Sequence, residues 1–275
     1  MGSGIAAQKT SGDPRRPARE EDLRVGSLMV LVSLLASLLL RPALAFEGKP
    51  KFGPNAAPIL EQTAYLRTAT APDYWRLNPF YVSQTTSSDC SVASITMAIN
   101  FMLGLPAGAE EPIVTQSLLL KKIADARWMK DVADGGSGVS FAEFVSVVSE
   151  SLATFHLQDH VVETVRPTDD TPETLASLRK ALATNEASDQ DIVLVYFNQG
   201  VLTGDWDGPH ISPIAAYSQE TRQVLIMDVD REWYVPYWTT DTKLLEAMLR
   251  PAPAEHGPLA GETGGLVWIR PASSQ

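Results

Sequence analysis

The chain has 275 residues, 44% of them hydrophobic and 20% charged, with a formal net charge of -11 and one cysteine, Cys90. That is enough polypeptide to bury a sizeable core in one large or two small domains, and the composition fits neither collagen-like, coiled-coil nor disordered classes. The acidic balance argues against nucleic acid, whose phosphates demand clustered Lys and Arg. A single thiol excludes an internal disulfide and a multi-thiolate zinc site.

In chain order, Lys9, Arg15, Arg16, Arg19 and Arg24 precede an apolar run over 25–40, and Ala43-x-Ala45 follows. Basic region, apolar region and small residues at a cleavage point predict a signal peptide over 1–45 and an exported, periplasmic protein. The alternative is a membrane anchor formed by residues 25–40, whose 16 residues are short for a span. Residues 46–71, with Pro50, Pro54 and Pro58, read as an extension running over the surface before the main domain at 72–271.

Apolar spacing predicts a mostly buried helix over 90–103, stopped by Gly104 and Pro106, with Ser88 and Asp89 where its N-cap belongs. Further helices are expected over 114–126, 141–152 and 172–183, the one over 141–152 opened by a capping box of Ser140 and Glu143. Gly135, Gly136 and Gly138 follow a helix and lack a Gly-Lys-Ser/Thr ending, so they read as a turn and not a phosphate loop. Strand patterning then takes over at 191–197, 211–217, 224–229 and 266–269. Helices first and strands second predict an α+β fold, a helical lobe packed on an antiparallel sheet.

Cys90 falls at the first turn of its helix, where unpaired N–H groups and the helix dipole favour a thiolate. A lone buried cysteine is more often a small hydrophobe; its companions decide otherwise. His210 and Asp228 lie on consecutive strands joined by a turn near Gln219 and Glu220. A hairpin centred there puts His210 across from Asp228 or Asp230, with all three side chains on one face. The carboxylate would fix the imidazole tautomer and stabilise the imidazolium. Gln84, six residues before Cys90, can add its amide to the Cys90 N–H as an oxyanion hole. Cys, His and Asp in that order, one on a helix and two on strands, is the arrangement of papain-like enzymes.

Gln84-Thr85-x4-Cys90-x-Val92-Ala93-Ser94, His210-Ile211-Ser212-Pro213-Ile214-Ala215-Ala216-Tyr217 and Asp228-Val229-x-Arg231, followed by Tyr234, Pro236 and Trp238, resemble the phytochelatin synthase family over about residues 72–271. The resemblance implies a papain-like fold and attack of Cys90 on the Cys–Gly bond of glutathione. Glycine leaves, and the γ-glutamylcysteinyl enzyme passes its acyl group to water or to a second glutathione. It implies Cys90, His210, Asp228 and Gln84 as catalytic residues, Arg231 as a holder of a substrate carboxylate, no resident metal, and heavy metals such as Cd or Zn acting through metal–glutathione thiolates. The implied partners are glutathione or a related γ-glutamyl peptide, a membrane only through the N-terminal segment, and a homodimer as the candidate assembly.

Three features depart from the family. Asp89-Cys90-Ser91 replaces its usual Phe-Cys-Gly, and a carboxylate beside the thiol either opposes thiolate formation or caps the helix. Tyr196-Phe197-Asn198 stands where a Tyr-x-Arg is usual, and nothing here matches the Cys-rich C-terminal domain of the plant enzymes. Together they favour hydrolysis over polymer synthesis. The rivals are an amidase or peptidase on another small γ-glutamyl substrate and a silent metal–thiol binder. His156 and His160, four apart, lack a third ligand and read as solvated; the aromatic run from Trp233 to Trp238 reads as core, and His256 has no partner in view.

Overall fold

A computed structural model describes residues 50–272, so the leader expected over 1–45 lies outside the described residues. The chain enters through a two-residue strand β1 (Ala57–Pro58) and short helices α1 (Ala64–Thr68) and α2 (Pro72–Leu77). It then builds a lobe from α3 (Cys90–Leu103), α4 (Gln116–Ile123), α5 (Ala126–Asp131) and α6 (Phe141–Thr154). After β2 (His160–Val165) and α7 (Pro172–Glu186) come β3 (Ile192–Asn198), α8 (Gln199–Thr203), β4 (Pro209–Ser218) and β5 (Gln223–Ile226). β6 (Tyr237–Thr240), α9 (Asp241–Leu249) and β7 (Gly265–Pro271) complete it.

The strands form one open antiparallel sheet in the order β1-β6-β5-β4-β3-β7-β2. The fold is therefore α+β. The interior strand β3 is buried at every position because both faces are covered. Ile192, Leu194 and Tyr196 join the core built with α3, α4 and α6, whereas Val193, Val195 and Phe197 join a second core with α7 and α9. Among the described residues no helix is long and apolar enough to cross a membrane.

Helix α3 is the axis of the first core: every residue from Ser91 to Phe101 is buried, as expected of a helix that is apolar all round. Each buried Val, Ile or Phe contributes about 1.5–3 kcal/mol. Its few polar groups make specific ties. Ser94 Oγ donates to Ile211 O at 3.0 Å, joining the helix to β4, and Asn100 both donates to and accepts from the Val114 backbone.

Several elements differ from the sequence expectation. The helix expected over 114–126 is two, because Ala124 turns left-handed at φ 54 and Asp125 caps a new helix by accepting from Arg127 and Trp128 N–H. The stretch expected to wander over the surface instead supplies the edge strand: Ala57 and Pro58 pair with Trp238 and Tyr237, and Tyr65 donates to Glu186 and Tyr217 O. β2 and β6 were absent from the sequence pattern. The Ser140–Glu143 capping box is present in full.

Candidate active site

Cys90 is the first residue of α3. Val92 and Ala93 N–H both turn back to Asp89 O, which leaves the Cys90 N–H without an intrahelical acceptor. The loop before it is held on several sides. Gln116 Nε2 donates to Ser83 O at 2.6 Å, Thr86 Oγ1 to Val132 O at 2.8 Å and Ser88 Oγ to Gly136 O at 2.7 Å.

Asp89 does not cap α3. Its buried carboxylate turns back into the loop and accepts from Thr85 N–H, Thr85 Oγ1 and Thr86 N–H at 2.6–3.1 Å. The negative charge beside the nucleophile is thus spent on fixing the segment that carries Gln84. Gln84 itself is tied through its N–H to Val229 O at 2.8 Å, one residue beyond Asp228. Its buried Oε1 has no protein partner, and the side chain lines the same cleft as Cys90.

His210 and Asp228 meet as a buried pair, Nε2 to Oδ1 at 2.9 Å. Near the turn the hairpin pairs Ser218 with Gln223 and Tyr217 with Val224, a register that would set His210 opposite Arg231 and turn Asp228 to the other face. A bulge at Ala215 shifts it, so Ile214 pairs with Ile226 and Met227 N–H donates to Pro213 O. Asp228 thereby becomes the diagonal neighbour of His210. Pro213, in a strand paired on both sides, sits next to this irregularity, where proline is tolerated.

Asp228 is held from every direction. Oδ1 also accepts from Asp230 N–H at 2.8 Å, Oδ2 accepts from Gln199 Nε2 at 3.0 Å, and Tyr81 donates to the Asp228 backbone carbonyl. Gln199 was missed in the sequence, since it follows β3 with no spacing signal to the site. Burial alone would lower the His210 pKa. The Asp228 charge and hydrogen bond, together with the adjacent Cys90, instead hold it well above the ordinary 6.5. Burial alone would raise Asp228; His210, the Asp230 N–H and Tyr237 bring it below 3.8. The two shifts together favour the imidazolium–carboxylate form of the pair, with Cys90 beside the ring.

These groups open on a cleft of about 890 Å³ that includes Gln84, Cys90, Tyr196, Gln199 and His210. The turn residues Gly136, Ser137 and Gly138 form one wall; Gly136 is obligatory there because a Cβ would meet Asp131 O at 2.2 Å. The aromatic run divides: Tyr237 and Trp238 are core, while Trp233 and Tyr234 face the cleft. His256 also lines it, held by Asp207 O at 2.8 Å and set edge-on against Trp206.

Other sequence candidates lie elsewhere. Arg231 stacks on the Tyr81 ring at 4.4 Å and is not among the cleft residues, so its place is behind the Asp228 corner. Asn198 caps α8 through Gly200 N–H and donates to Asp207. His160 contacts the neighbouring Asp159.

A thiol at a helix start, an imidazole beside it and a carboxylate behind the imidazole are the parts of a cysteine-nucleophile acyl-transfer centre. The phytochelatin synthase family model matches residues 55–256, and the chain belongs to that family. Among curated proteins it is similar to glutathione gamma-glutamylcysteinyltransferase 2 of Arabidopsis thaliana, 27% identical over 223 residues, a match covering 80% of this chain and 44% of the relative. It is also similar to glutathione gamma-glutamylcysteinyltransferase 1 of the same plant, 26% identical over 190 residues, 66% of this chain and 35% of the relative. The chain thus spans less than half the length of either.

Proposed function

We propose that the protein is an exported papain-like cysteine acyltransferase that cleaves the Cys–Gly bond of glutathione, chiefly as a hydrolase. Cys90 Sγ, its proton already held by His210, attacks the carbonyl. Gln84 and the Cys90 N–H hold the developing oxyanion. His210 then hands its proton to the departing glycine nitrogen, leaving a γ-glutamylcysteinyl thioester. Water resolves the thioester, and a second glutathione amine does so as the minor route. Metal–glutathione thiolates would enter as substrate.

The observation that carries this reading is the buried His210–Asp228 pair beside Cys90 at the mouth of an 890 Å³ cleft. Hydrolysis is favoured because Asn198, standing where the family pattern has a cation, is committed to capping α8. Arg231 acts by bracing Tyr81, which supports the Asp228 backbone.

Incubation with glutathione should release glycine and leave a γ-glutamylcysteinyl adduct on Cys90, detected by intact mass. Cys90→Ala should abolish both. Equal glycine release from wild type and Cys90→Ala would overturn the reading. Longer γ-glutamylcysteine oligomers would make transfer the main reaction.

A further inference from the structure

The carboxylate behind the imidazole has two oxygens, and they do different work. Oδ1 takes His210 Nε2 at 2.9 Å and Asp230 N–H at 2.8 Å, whereas Oδ2 takes Gln199 Nε2 at 3.0 Å. Asp228 lies past the end of β5, outside the regular ladder, and is wholly cut off from water. A carboxylate gripped through one oxygen can still swing about its Cβ–Cγ bond. A buried oxygen that loses its donor has no solvent to fall back on. The amide on Oδ2 stops that swing, so Oδ1 stays on the ring nitrogen.

The amide is itself aimed. Gln199 is buried and opens the segment 199–208, where its N–H donates to Gly208 O at 3.0 Å and its carbonyl accepts from Thr203 Oγ1 at 3.0 Å. Beside it, Asn198 Nδ2 donates to Asp207 Oδ1 at 2.7 Å. Gly200 lets the chain return this closely, because a Cβ there would meet Asp207 Cα at 2.8 Å and Trp206 O at 2.9 Å. The segment is thus a closed loop whose two ends meet at Gln199, and it runs through Pro209 directly into His210. Gln199 therefore ties both members of the pair to one frame, the imidazole through the chain and the carboxylate through the amide.

Resting on the acyl-transfer reading above, we propose that Gln199 is a positioning residue of this reaction: through Asp228 it keeps the His210 ring facing both Cys90 and the amine that leaves. Because it works at one remove from the bond being broken, its effect belongs in kcat, where the ring must pass a proton, and not in KM. A group that acts through Asp228 has nothing left to do once that carboxylate is gone.

The test uses the full chain and two variants of similar length. Gln199→Met lacks a donor, whereas Gln199→Glu can give an O–H to Oδ2 while protonated and repels Asp228 once ionised. In glycine release from glutathione at pH 7, Gln199→Met should lower kcat about tenfold or more with KM within about twofold. Gln199→Glu should stay within about threefold of wild type near pH 5 and fall about tenfold or more behind by pH 8. The titratable groups around Asp228, namely His210, Asp230, Tyr81, Tyr234 and Tyr237, are common to both proteins, so this crossover reads the introduced carboxyl. In an Asp228→Asn background, Gln199→Met should cost less than about threefold. Losses that are equal in the two variants and flat with pH, a loss confined to KM, or full additivity with Asp228→Asn overturn the inference. Should Gln199→Met fail to fold, the pH crossover of Gln199→Glu decides alone. The same crossover is read without substrate in the alkylation of Cys90 by iodoacetamide, which separates the two readings. No glycine release with the crossover intact removes the hydrolase reading and leaves the role of Gln199 standing, while glycine release without a crossover sinks only that role.

Discussion

Asp228 concentrates the site's energetics in one carboxylate: no part of it reaches solvent, and each oxygen is used. Asp228→Asn keeps the shape but removes the charge that holds His210 as imidazolium, so glycine release should fall on the order of 10³- to 10⁴-fold while the fold persists. The same substitution has a pH signature. His210 is raised in the folded state, so its stabilisation is complete below the ordinary 6.5 and is lost as pH climbs through the folded value. Asp228 is lowered, so its stabilisation is complete above the ordinary 3.8 and is lost as pH falls through the folded value. The Tm difference between wild type and Asp228→Asn should therefore be largest between about pH 4 and 6.5 and shrink at alkaline pH. A Tm difference independent of pH would show that the pair is not ionic.

At the scale of elements, α2 carries the most exposed liability of the scaffold, although it is hidden from water. Asp73 is 1% accessible, neither carboxyl oxygen has a hydrogen-bond partner, and Asp191 and Glu186 lie near. Burial, reinforced by those two charges, raises its pKa well above 3.8 against the opposing pull of Asn185 and Arg76. A raised carboxyl stabilises the fold fully below the unfolded value and loses that contribution as pH rises through the folded one. Asp73→Asn, which mimics the protonated form, should raise the melting temperature at pH 7–8 by the equivalent of about 1–3 kcal/mol, with the gain vanishing near pH 4.

What the sequence carries about these elements depends on how local the signal is. The limits of α3 and the capping box of α6 were legible because periodicity and caps are written in adjacent residues. The break at Ala124 was not, since the apolar spacing runs on across a left-handed residue. The shared face of His210 and Asp228 was anticipated from even spacing, yet the turn register alone would have separated them. A bulge at Ala215, set by long-range pairing, restored the face. Gln199 and the cleft-facing half of the aromatic run were illegible for the same reason, because only the assembled sheet brings them to the cleft that Cys90 lines.

Across the whole molecule, the acidic balance of -11 is matched locally in the cleft, where the carboxyl groups in the lining outnumber the imidazolium of His210. A low-dielectric cleft with an excess of one sign of charge focuses its field outward and acts on a charged substrate before contact. Glutathione is an anion at neutral pH, so this field repels it, and added salt screens the repulsion over a Debye length that shortens from roughly 30 Å at 0.01 M to about 10 Å at 0.1 M. The KM for glutathione should therefore fall several-fold between those ionic strengths with kcat little changed, and its uncharged glycinamide should respond much less. An enzyme that met its substrate with lysines or arginines would give the opposite slope, so a KM that rises with salt would place cationic groups at the mouth of the cleft and contradict its acidic lining.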